Sequence, residues 1–160
     1  MSVWFVAIWL LVEAALIVWA LFGIALGAFP WLAGELQTAS ACALFGALGG
    51  CAYCLRGIYI NKCVNQRWDL SWLPWYFIRP FVSMIFGGVS YLFVKSGLLL
   101  LGAQKKPDAS DLGIWAVAFL AGLNVDKFMA KIEAIGHSVW GIEPSRQSAP
   151  QKGEATKSNE

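Results

Sequence analysis

Polar positions in this 160-residue chain are few and bunched, and the apolar stretches between them set its organisation. Val3 to Gly27 is apolar apart from Glu13, longer than the roughly 20 residues that cross a bilayer core. Gly23 and Gly27 end it as a G-x-x-x-G pair, a spacing suited to close helix packing. A second stretch, 39–55, is dense in small residues. Cys42, Gly46, Gly50 and Cys54 recur every four positions and share one helical ridge, with Ala39, Ala43 and Ala47 on the next. A third stretch, 81–101, carries Ser83 and Gly87 at the same spacing. It follows an aromatic elbow in which Trp68, Trp72, Trp75 and Arg79 mark the headgroup level and Pro80 suits the first turn of a helix.

The fourth apolar run, Leu112 to Leu123, is too short to cross alone, so the span is expected to continue past Asn124 to about residue 130. Val125, Phe128, Met129, Ile132, Ile135 and Val139 then fall on one face of an amphipathic helix reaching to about residue 140. Phe128, Lys131 and Trp140 are its candidate contacts with a membrane surface or a partner. Residues 143–160 hold no large apolar side chain and are expected to be a disordered tail. The fold class is therefore an all-α polytopic membrane protein over residues 1–142: four transmembrane helices plus a cytoplasmic amphipathic helix.

Composition agrees. The chain is 58% hydrophobic and 14% charged, against about 25% charged in soluble domains. No basic residue precedes the first apolar run, so that run reads as a retained span rather than a cleaved leader. A net charge of +2 without any basic run excludes nucleic acid as a partner. Four crossings put Arg56, Lys62, Arg67, Arg79, Lys127 and Lys131 on one side and Lys105 and Lys106 on the other. The positive-inside rule then places both termini in the cytoplasm.

Two ionisable residues fall within predicted spans, where charges are costly and face an interior. Glu13 either lines a pore, coordinating an ion or relaying a proton, or stabilises a helix contact. Lys95 either snorkels to the headgroups or pairs with Glu13. Cys51 and Cys54 have the C-x-x-C spacing of redox motifs, yet small polarisable residues also suit a packed interface. With four cysteines and a single histidine, the chain offers no metal-ligand set, and no phosphate-binding glycine loop or nucleophile elbow is present. No cofactor is implied, and an enzyme is not expected.

Arg79-Pro80, Gly87-Gly88, Tyr91-Leu92, Gly97-Leu98-Leu99 and Ala118 to Gly122 before Phe128 resemble a bacterial membrane module. The likeness, over about residues 78–133, is to the YEATS-like-associating three-transmembrane proteins and to small multi-helix membrane proteins of bacterial antiphage systems. It implies an inner-membrane protein that is the partner or effector of a cytoplasmic protein, and it identifies no active-site residue. The expected function is a non-enzymatic module that self-associates into a pore-like effector or sensor. The rival readings are a structural accessory subunit of a larger membrane complex and a membrane thiol-redox protein.

Overall fold

A computed structural model describes residues 3–66, 68, 70–97 and 111–142. Among them the chain is helical, with no strand. Helix α1 spans Val3–Ala25, α2 Glu35–Ile58, α3 Leu73–Lys95, α4 Asp111–Leu123 and α5 Val125–Trp140. A π-helical turn, Tyr59–Val64, prolongs α2, and a 3₁₀ turn, Leu70–Trp72, leads into α3. Three helices are long and apolar enough to cross a membrane, and a fourth crossing exists if α4 and α5 count as one broken span. The chain divides after Val125 into a bundle of α1–α4 and a second unit containing α5.

The centre of the bundle is a meeting of glycines. A Cβ on Gly46 of α2 would lie 2.6 Å from Cα of Gly87 in α3, and one on Gly87 would lie 2.5 Å from the Cys42 carbonyl. A Cβ on Gly122 of α4 would overlap the Gly46 carbonyl, and one on Gly49 would overlap the Phe119 carbonyl. Lipid is as apolar as leucine, so helices in it are held by close packing and interhelical hydrogen bonds, both of which need small residues. Ser83 Oγ donates to the Gly122 carbonyl at 2.9 Å, satisfying one of the last carbonyls of α4, which have no partner within their own helix. Cys42, Gly46, Gly50, Cys54, Ser83 and Gly87 are all buried as packing residues.

The helix α1 is held differently. It rests mainly on α2 along the stripe Val6, Leu10, Ile17 and Ile24, with Trp9 reaching Phe77 of α3 at 5.9 Å between ring centres. Its other faces expose Trp4, Phe5, Leu16, Trp19 and Phe22. Gly23 and Gly27 do not pack another helix. A Cβ on Gly23 would meet the Phe29 ring at 2.9 Å, while Gly27, at φ +70°, ends the helix. The Gly27 N–H donates to the Ile24 carbonyl and the Ala28 N–H to the Gly23 carbonyl, the Schellman pattern that requires a left-handed residue.

Two of these boundaries differ from the sequence reading in ways that move a residue of interest. Helix α3 begins at Leu73, not Phe81, so Pro80 lies inside it and Pro74 occupies its first turn. The missing N–H is tolerated because Pro80 is fully buried against Gly50. The fourth run does not continue as one helix to 130: α4 stops at Leu123 and a new helix starts at Val125. The expected end of span three (98–101), the loop with Lys105 and Lys106, and the expected disordered tail (143–160) lie outside the described residues.

A Gly122→Ala substitution should lower stability by roughly 1–3 kcal/mol, since its methyl has no space beside α2. Gly113→Ala, at a position with nothing within 4 Å, should be neutral or stabilising by up to about 1 kcal/mol. Unfolding midpoints in mild detergent separate the two.

Candidate functional site

The described charges sort along the bundle by what each can reach. Glu35 starts α2 and Lys95 ends α3, and antiparallel packing brings them to the same end, 2.5 Å apart. The Tyr91 hydroxyl donates to the other Glu35 oxygen, so one carboxylate ties α2 to α3 through two partners. Both ionic side chains are more than half exposed, which fits a latch at the water boundary rather than a charge in the bilayer. Lys95 therefore does not pair with Glu13. Glu13 sits midway along α1, whereas Lys95 is the last residue of α3 and meets the acid at its own end.

Glu13 lies on the stripe that α1 turns toward α2, between Leu10 and Ile17. Leu10 packs with Cys54 and Ile17 with Cys51, which places Glu13 against the middle of α2. Its Oε2 is buried with no hydrogen-bond partner. Within one chain it occupies a helix seam and lines no open axis.

Arg79 is the largest fully buried side chain among the described residues. Because α3 starts at Leu73 rather than Phe81, Arg79 lies within the helix, and its Cζ stands 4.5 Å over the Tyr53 ring and 5.1 Å over the Trp75 ring. A guanidinium is weakly hydrated and planar, so stacking between two rings makes its burial tolerable. Trp75 and Arg79 stand four apart on one helix, a spacing that was readable in the sequence. Tyr53 gave no such signal, because its partner comes from another helix.

The rest of the elbow stays peripheral. Trp68 stacks on Tyr76 with centres 5.6 Å apart, and Trp72 and Trp75 are partly exposed. Asn61, in the π-helical turn, donates to Tyr76 Oη at 3.4 Å. Arg56, Asn61, Trp72, Trp75 and Tyr76 line a cavity of about 350 Å³. A second cavity, about 580 Å³, opens at the other end between α1, α2 and the start of α4, beside Leu21, Phe45 and Trp115. In the second unit, Lys131 and Trp140 of α5 are exposed and Phe128 is half-buried.

Cys42, Cys51 and Cys54 are buried and Cys63 is exposed, all four as free thiols. Among the described residues no group of histidine, cysteine or carboxylate side chains could hold a metal ion. No family model, curated protein or solved structure matches this chain.

A maleimide added to the folded protein should label Cys63 rapidly and reach the other three only on unfolding, as read by intact mass. Arg79→Lys keeps the charge but loses the planar stack. It should cost about 0.5–2 kcal/mol and alter tryptophan emission.

Proposed function

We propose that this protein is a non-enzymatic module of the bacterial inner membrane that self-associates into a pore-like or sensing assembly and answers to a cytoplasmic partner. The observation that carries the reading is Glu13: an acid with an unpartnered buried oxygen, on the helix least enclosed by the bundle. Intramembrane carboxylates are expensive and usually serve ion or proton movement. A bound cation would give that oxygen a partner that the described residues do not supply.

The small-residue ridges do not support self-association, since they are used within the bundle. Contacts between copies would instead run along the outward face of α1, where Trp4, Leu16, Trp19 and Phe22 are exposed. In α5, Lys127 and Lys131 are offset by Asp126 and Glu133, which leaves an amphipathic helix without net charge, suited to a cytoplasmic protein. The likeness over residues 78–133 to antiphage membrane modules supplies the biological setting.

Native mass spectrometry of the chain expressed alone should give one closed stoichiometry of two or more copies. Proteoliposomes should then show a cation or proton flux that Glu13→Gln reduces at least tenfold without changing the stoichiometry. A monomer would move the reading to an accessory subunit of a larger complex. Unaltered flux in Glu13→Gln would return Glu13 to a packing role.

A further inference from the structure

The cavity of about 350 Å³ where α2 passes into its π-helical turn has a chemistry unlike the rest of the bundle. Its walls include Tyr53, Trp72, Trp75 and Tyr76, with Arg56 and Asn61 among them. Those side chains offer a guanidinium, a carboxamide and two phenols as donors, and Arg56 is the one charged side chain among the described residues that line the space. Arg79 adds a second guanidinium behind the walls, stacked on Tyr53 and Trp75 and wholly buried. The Arg56 guanidinium in the wall disfavours an ammonium or choline group despite the aromatic side chains.

Depth identifies the occupant further. Trp72 and Tyr59 are 59% and 62% exposed at this end. Val6 and Leu10 of α1 pack with Cys54, Ile58 and Tyr76, so Trp4, 72% exposed, belongs to the same end. Amphipathic rings collect at the headgroup level of a bilayer, and this girdle surrounds the cavity. The π-helical turn contributes too: its extra residue per turn displaces the backbone, and Asn61 lies within it, joined to Tyr76. The volume lies in the range of small-ligand sites, enough for a phosphodiester with its glycerol but not for a whole lipid.

We propose that this cavity holds the headgroup of an anionic phospholipid, the phosphodiester oxygens accepting hydrogen bonds from Arg56 and Asn61 while Trp72 and Trp75 cover the glycerol region. The site stands whether or not the chain self-associates, because every lining residue belongs to one bundle.

The test is native mass spectrometry of the full chain in detergent, titrated with short-chain phosphatidylglycerol and, separately, phosphatidylcholine. Phosphatidylglycerol should bind about fivefold more tightly, the effect of roughly one basic side chain at a membrane surface. Arg56→Gln should abolish that preference. Lys62→Gln, an exposed change outside the cavity, should keep it. Equal binding of the two lipids would overturn the proposal, as would equal loss in both variants, which would indicate a diffuse surface charge. Inorganic phosphate at millimolar concentration should not displace the lipid, and displacement would reassign the cavity to a soluble phosphate compound.

Discussion

Everything in the bundle depends on how closely α2, α3 and α4 approach at Gly46, Gly87 and Gly122. No water is available inside a bilayer to drive apolar surfaces together, so packing at backbone distance must supply the association. The Ser83 hydrogen bond adds an amount typically about 0.6 kcal/mol in membrane proteins. That is less than the cost of inserting one methyl into the same contact, so steric fit outweighs polar attraction at the centre of this bundle.

That contact also decides where charge can sit. With the middle of α2 sealed against α3 and α4, ionic groups are displaced to the ends or to the α1 seam. The Glu35, Tyr91 and Lys95 latch occupies one end. Arg79 lies toward the other, where aromatic rings take the place of small residues. Glu13 remains in the seam between α1 and α2, flanked by Leu10 and Ile17, which pack against Cys54 and Cys51.

Much of this architecture was legible in the sequence. The first apolar run needed only its length, and the four-residue recurrence from Cys42 to Cys54 gave the buried face of α2. Three things were not legible. Trp72, Trp75 and Arg79 have the composition of a membrane interface, and nothing local tells an arginine facing water from one stacked between rings; Tyr53, far away in sequence, makes the difference. The Lys95 partner was misplaced for a related reason. The pairing was sought among charges within predicted spans, and Glu35 lies outside the predicted 39–55 span although it is the first residue of a helix. The break at Asn124 was hidden because the chain after it keeps helical periodicity and changes only its polarity.

The length of α4 bears on how the protein is made. At 13 residues it covers about 20 Å, less than a bilayer core, so it gains too little from lipid to leave the translocation machinery by itself. Its seat is built from Gly46 and Gly49 on one side and Ser83 on the other, and exists only after α2 and α3 have paired. Assembly thus has an order: α2 and α3 pair first, and α4 packs onto the surface they form. A defect in the pairing of α2 with α3 would leave α4 without a seat, where the quality-control proteases of the membrane would find it.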